Sequence, residues 1–250
     1  MDSALNRDSR ARLLGSYTDS VVECRGCALD VLCRQPINTE QTSNRTKSAL
    51  TRNQIFNKGD NLFNQGEAFE SIYIIRSGSM KIYALLGDGQ EQVTNFQFSG
   101  EVLGFSGLST GTYSVSAVAM ETTSICKISF ADLENLSLNS SILRQDIYST
   151  MGKELQQFER MIMTLSKKTS EERVAGFLLN ISDHYEQQGY SASCYRLPMS
   201  RNEIGNFLGL AVETVSRVFS KLKKNSLIQV KGKEIELLDL DQLRALSEES

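Results

Sequence analysis

Ser200-Arg-Asn-Glu-Ile-Gly-Asn-Phe-Leu-Gly209 and, after Leu210, Ala211-Val-Glu-Thr-Val-Ser-Arg-Val-Phe-Ser-Lys-Leu-Lys-Lys224 are the segments on which the fold turns. Ser200 can cap a short helix, and Glu203 three residues on completes a capping box. Gly209 is the residue able to take a positive φ at a sharp turn. The second segment reads as an amphipathic helix. Val215, Val218, Phe219 and Leu222 form its apolar stripe, and Glu213, Thr214, Ser216, Arg217, Ser220 and Lys221 point outward or flank it. Ile228–Val230 and Glu234–Leu237 then flank Lys231-Gly232-Lys233 as a β-hairpin. The order helix, turn, helix, hairpin predicts a winged helix-turn-helix. Its second helix has the apolar back and polar front that a major-groove reader needs.

Charge supports this reading locally rather than globally. The 250-residue chain carries a formal net charge of −3. From Arg196 to Lys233, however, Arg196, Arg201, Arg217, Lys221, Lys223, Lys224, Lys231 and Lys233 stand against Glu203 and Glu213 alone, a net of +6. That makes a candidate phosphate-binding face. An acidic residue within it does nothing for phosphate but suits base readout. Glu213 can accept from cytosine N4, and Arg217, one turn on, can donate twice to guanine O6 and N7. Ser216, Thr214 and Arg201 complete the candidate contacts with double-stranded DNA.

Working towards the N-terminus, Ser170-Glu-Glu-Arg173 reads as a helix start, with a run to about Gln188 and a stop at Gly189. Strand-like Cys194–Leu197 leads into Pro198. From about Ser140 to Ser166 a long helix is expected. Ile147, Met151, Leu155, Phe158, Ile162 and Leu165 fall at steps of three and four along it. Such a narrow stripe fits a homodimer seam, the alternative being docking on the preceding domain. That domain, from about 51 to 135, alternates short apolar runs with glycine turns. Ser71–Arg76, Met80–Ala84, Gln92–Phe96 and Ser116–Met120 read as strands of a β-barrel or β-roll. The expected class is α+β: an N-terminal segment (1–50), a β-roll (51–138), a long dimerisation helix (139–168) and a winged helix-turn-helix domain (169–250).

The polar N-terminal segment holds Cys24, Cys27 and Cys33, with Cys126 and Cys194 standing alone. Four thiolates can complete an iron–sulfur cubane or a structural zinc site, or stay unligated. Closely spaced ligands with a distant fourth would tie the N-terminal segment to the roll. Cys194 has no partner nearby in sequence and reads as structural. The single histidine, His184, reads as a helix-surface residue. With one histidine, no Gly-rich phosphate loop and no Ser/His/Asp set, enzyme classes find no support. No apolar run is long enough for a membrane span. The first 17 residues lack the apolar core of a secretory signal, so a cytoplasmic location is expected.

Cys24-x2-Cys27-x5-Cys33, Arg76-Ser-Gly78, Cys126, Leu165-Ser-Lys-Lys168, Glu171-Glu-Arg173 and Glu213-Thr-Val-Ser-Arg217 together resemble the CRP/FNR superfamily, specifically its FNR branch, over residues 20 to 240. The resemblance implies a double-stranded β-helix related to cyclic-nucleotide-binding domains. It implies a [4Fe–4S] cluster on Cys24, Cys27, Cys33 and Cys126, oxygen sensing, and activation of transcription by a cytoplasmic homodimer on TTGAT palindromes. Glu213, Ser216 and Arg217 match the family's base readers, and Gly89 matches a loop that touches RNA polymerase; Gly89 also reads as a plain hairpin glycine. The alternative is a CRP-like regulator whose roll binds another small molecule. A cyclic nucleotide is disfavoured, because Tyr113 stands where that branch carries a phosphate-pairing arginine. One position departs from the family: an acidic residue can stand in the dimer helix where this chain has Phe158. An apolar seam there predicts that cluster loss reorients the dimer rather than dissolving it.

Overall fold

The computed structural model describes residues 27–34 and 50–248. A single-turn helix, α1 (Val31–Arg34), lies beside an eight-stranded roll: β1 (Leu50–Phe56), β2 (Asn61–Phe63), β3 (Ser71–Ser77), β4 (Ser79–Leu85), β5 (Glu91–Phe98), β6 (Val102–Leu103), β7 (Ser116–Ala119) and β8 (Thr123–Ser129). Two antiparallel four-stranded sheets result, in the orders β1-β8-β3-β6 and β2-β7-β4-β5. Tyr73, Ile75, Met80, Ile82, Leu103 and Ile125 pack in one core cluster of the roll. Ile72, Ile74, Val102, Cys126 and Ile128 pack in another, against Leu29 and Leu32 of the N-terminal segment. All four roll strands read from the sequence are present, three of them extended by one to three residues and β7 one residue shorter. Strands β1, β2, β6 and β8 are additional to those readings.

Helix α2 (Phe130–Leu138) turns the chain into α3 (Ser141–Lys167), whose N-cap is Ser140. The α3 stripe divides. Ile147 packs against the roll core, so at this one position docking on the roll replaces the expected free seam. Met151, Leu155, Phe158 and Ile162 are exposed. After α3 comes α4 (Ser170–Gln187), capped one residue earlier than the sequence suggested, by Thr169 with Glu172 in a full capping box.

The C-terminal domain follows with β9 (Cys194–Arg196), α5 (Arg201–Leu208), α6 (Val212–Lys224), β10 (Ile228–Lys231), β11 (Glu234–Leu237) and α7 (Leu240–Glu248). Its sheet order is β10-β11-β9. The α5–α6 turn depends on two glycines. Gly209 adopts φ +63°, and a Cβ on Gly205 would lie 2.6 Å from the Leu210 carbonyl oxygen. The α+β class and the winged helix-turn-helix stand as expected. The core of the C-terminal domain is not self-contained, however. Val174, Phe177, Leu178, Ile204 and Val215 belong to one cluster with Val93, Phe96, Phe98 and Met120 of the roll.

Candidate functional site

Two regions carry the residues singled out by sequence. The first is a hollow between α1 and the roll, lined by Cys27, Leu29, Leu32, Cys33, Leu50, Ile74, Ile75, Arg76, Ser99, Gly100 and Cys126. Hydrogen bonds from Ala28 N to Gly100 O at 3.0 Å and from Cys33 N to Asp30 O at 2.8 Å shape its near wall. Cys126 is buried on β8, paired with Ile74 of β3, which fixes its position. Cys27 is half-buried and Cys33 exposed. Cys24 lies outside the described residues. Among those described, no three His, Cys, Asp or Glu side chains are grouped to hold a metal ion. Three thiols nevertheless converge on one mainly aliphatic hollow with no carboxylate or imidazole in its lining. That donor set fits a thiolate-held cluster, since sulfur ligands select iron–sulfur groups or zinc and the apolar wall limits water.

A residue the sequence gave no reason to notice joins this hollow. Between Thr51 and Gln54 the β1–β8 register slips, and Asn53 takes φ +60°. The bulge lies opposite Cys126, and Arg52 within it donates to Cys33 Sγ at 3.7 Å. Bulges of this kind re-aim side chains beside functional sites.

The second region is α6. Glu213, Ser216 and Arg217 are exposed on one face, Thr214 is half-buried, and Val215, Val218, Phe219 and Leu222 are buried on the other. Arg217 Nη2 donates to Thr214 Oγ1 at 3.5 Å, leaning the guanidinium along the helix. Lys221 is paired with Glu171 of α4 at 2.6 Å. Arg201, expected at the DNA face, also packs within the domain. Its guanidinium lies 3.1 Å from the centre of the Phe219 ring, and burial pushes its pKa down to about 10. Its position favours bracing the two helices against each other.

Arg173, noted only for its family motif, proves to be a junction. Its Nε donates to Lys168 O at 2.9 Å, its Nη1 to Leu208 O at 3.0 Å and its Nη2 to Leu165 O at 2.8 Å. One guanidinium thereby joins the end of α3, the linker and the end of α5. His184 is not on the surface as expected. Its ring centre is 4.8 Å from that of Phe98, and burial holds its pKa down at about 4. Cys194 is exposed on β9, where burial and then Glu236 and Glu234 raise its thiol pKa. Gly89 occupies the exposed β4–β5 turn at φ +82°, closed by Gly89 N to Leu86 O at 2.9 Å.

A cavity of about 370 Å³ lies between the roll and α3, lined by Asn95, Gln97, Ser106, Glu154 and Phe158 among others, with no Lys or Arg in its wall. Tyr113 is buried nearby. Its hydroxyl donates to Ser71 O at 2.8 Å, and its ring stacks on Phe63 at 4.1 Å. A phosphate placed in this cavity would meet the Glu154 carboxyl and no cation.

Comparison with known proteins decides the family. Residues 172–246 match the Crp-like helix-turn-helix domain, and residues 53–140 match the cyclic nucleotide-binding domain. Transcriptional activator protein Anr of Pseudomonas protegens is 44% identical over 224 residues, covering 90% of this chain and 92% of the relative. The chain belongs to the CRP/FNR superfamily, in its FNR branch. The Fumarate and nitrate reduction regulatory protein of Salmonella typhi is 38% identical over 226 residues, 90% of each chain. Among solved structures, FixK2 from Bradyrhizobium japonicum superposes with a TM-score of 0.72 at 30% identity, covering 79% of this chain and 96% of that one. This FNR-branch chain is a DNA-binding transcription regulator of the activator type, not an enzyme. Among its described residues no helix is long and apolar enough to cross a membrane.

Proposed function

We propose that this regulator senses oxygen through a [4Fe–4S] cluster and controls anaerobic gene expression as a cytoplasmic homodimer on TTGAT palindromes. The observation that carries the reading is the convergence of Cys27, Cys33 and Cys126 on one apolar hollow from two separate parts of the chain. Cys24 completes the proposed ligand set. When bound, the cluster supplies oxygen-labile iron–sulfur bonds. The chain's own part is mechanical: ligation ties segment 1–50 to β8 of the roll (51–138), and Arg52 offers a cationic donor to the Cys33 sulfur.

The remaining roles follow the fold. The segment 139–168 dimerises through Met151, Leu155, Phe158 and Ile162, with Ile147 at its roll-facing end. The domain 169–250 reads DNA with Glu213, Ser216 and Arg217, and a two-fold dimer matches a palindrome because each half-site takes one recognition helix. The exposed Gly89 hairpin is the proposed contact with RNA polymerase. A second reading, a small-molecule effector in the cavity at α3, draws on the buried Ser106 Oγ, which has no hydrogen-bond partner among the described residues. Anaerobic purification with iron and acid-labile sulfide assays separates the two. About four of each per chain, with colour that bleaches in air, is expected of a cubane cluster. Zinc, or no metal, would reject the oxygen-sensing reading and favour the second.

A further inference from the structure

Strand β5 ends its sheet and so presents unpaired backbone groups along its outer side. Part of that edge is covered by Asn206 of α5. Its Oδ1 accepts from Val93 N at 2.6 Å, and its Nδ2 donates to Glu91 O at 2.8 Å. Both backbone groups face outward, two residues apart, and one carboxamide satisfies them in the manner of a short added strand. Gln92 Nε2 donates to the backbone carbonyl of Asn206 at 3.0 Å. Beneath this polar clasp Phe207 packs on Phe96, ring centres 5.1 Å apart, and on Phe177 at 6.0 Å. Lys81 of β4 reaches Glu203 of α5 at 3.7 Å, and Gln188 Nε2 donates to Ser99 O at 3.0 Å beyond the far end of β5. The first helix of the helix-turn-helix is therefore fastened to the sensor roll itself.

We infer that Asn206 is a positioning residue for DNA recognition: its carboxamide pairs with the open edge of the roll and holds the recognition helix at one angle to the sensor. Besides this contact and its aromatic bed, the C-terminal domain meets the rest of the chain through Phe98 and Met120 in the shared core, through the Gln188–Ser99 hydrogen bond and through the α3–α4 link. The two recognition helices of a dimer must sit one helical turn of DNA apart, so a domain free to pivot about that link loses specific binding before it loses charge-driven binding. Asn206 itself is half-buried against the roll, while Glu213, Ser216 and Arg217 are exposed. The clasp orients the reading face without covering it.

The inference uses the TTGAT palindrome of the proposed function as a probe, and its test includes an arm that needs no DNA. Full-length wild type, Asn206→Ala and Asn206→Asp are compared anaerobically by hydrogen exchange and by fluorescence anisotropy. The anisotropy uses a TTGAT-palindrome duplex and a random duplex. The alanine side chain removes both bonds, and the aspartate carboxylate cannot donate to Glu91 O. The alanine variant is expected to lose exchange protection at the Val93 amide, from which the aspartate carboxylate still accepts, and both variants are expected to bind the palindrome about tenfold more weakly, within the range of coupling residues. Binding to the random duplex should change by less than about twofold, because no phosphate-contacting charge is lost. Unchanged Val93 protection in Asn206→Ala would overturn the contact. Lost protection with unchanged, or tighter, palindrome binding would overturn its positioning role, as would equal losses on both duplexes. A wild type that ignores the palindrome counts against the TTGAT assignment and leaves the exchange comparison to decide the fate of Asn206.

Discussion

Leu155 stands 61% exposed midway along α3, between Met151 and Phe158 on the same stripe. Complete burial of a leucine side chain is worth about 1.5–3 kcal/mol, so covering the exposed part in a dimer contributes about 1–2 kcal/mol per chain. An isologous two-fold seam uses each residue twice, which brings the contribution to roughly 2–4 kcal/mol per dimer. Leu155→Ala removes most of this and should weaken the dimer by about a hundredfold. Leu155→Glu adds two desolvated like charges across the axis and should leave monomers at micromolar concentration. Sedimentation velocity over a dilution series reads both effects. Circular dichroism should show an unchanged chain fold, because Leu155 supports little of the monomer core. Affinity for a palindrome should fall in step with dissociation, since each half-site needs one subunit. A Leu155→Glu chain that sediments as wild type would refute the seam and return the α3 stripe to some other partner.

Four further outcomes are expected. With Phe158 in the seam, cluster-free protein should remain dimeric at micromolar concentration while losing DNA affinity, and wholly monomeric sedimentation would reject this. Arg217→Ala should cost about 1–3 kcal/mol on the specific site, and Glu213→Ala should relax selectivity at one base pair with little change on random DNA; equal losses on both DNAs in anisotropy titrations would sink the base-reading roles. Arg52→Leu should hasten bleaching of the cluster in air relative to wild type by removing the donor to Cys33, and identical bleaching rates would leave Arg52 without that role. His184 is held neutral down to about pH 4, against an ordinary value of 6.5, by burial. The folded state thus binds fewer protons than the unfolded chain between those values, and its stability falls as pH drops through them. Glu101, whose carboxyl burial pushes up to about 7, acts in the opposite sense, losing stability as pH rises from 4.5 towards 7. His184→Gln should therefore unmask the Glu101 slope, removing on the order of 3 kcal/mol of acid sensitivity, and urea midpoints with the same pH dependence in both proteins would refute it.

Local patterns in the chain determined a good deal by themselves. The Ser200–Glu203 capping box, Gly209, the α6 stripe and the Lys231-Gly232-Lys233 turn act within a few residues, so the winged helix-turn-helix was legible without any tertiary contact. The same holds for four roll strands, where alternation and glycine turns mark the pleat, and for the cysteine spacing that pointed to sulfur ligation. Only the tertiary structure decided where those pieces meet. The convergence of Cys27 and Cys33 on Cys126 is a product of the α1–roll packing, and no local signal marks the β1 bulge that aims Arg52 at the same hollow. His184 was misplaced because helix periodicity locates a face but not what covers it, and Phe98 of the roll covers this one. Arg201 carries the right charge for DNA, but the Phe219 ring holds its guanidinium. Arg173 and Asn206 bind backbone groups 35 and 113 residues away, so neither pairing leaves a trace in local composition. Local sequence specified the DNA-reading module, whereas non-local backbone hydrogen bonds and a shared core set how that module is joined to the sensor.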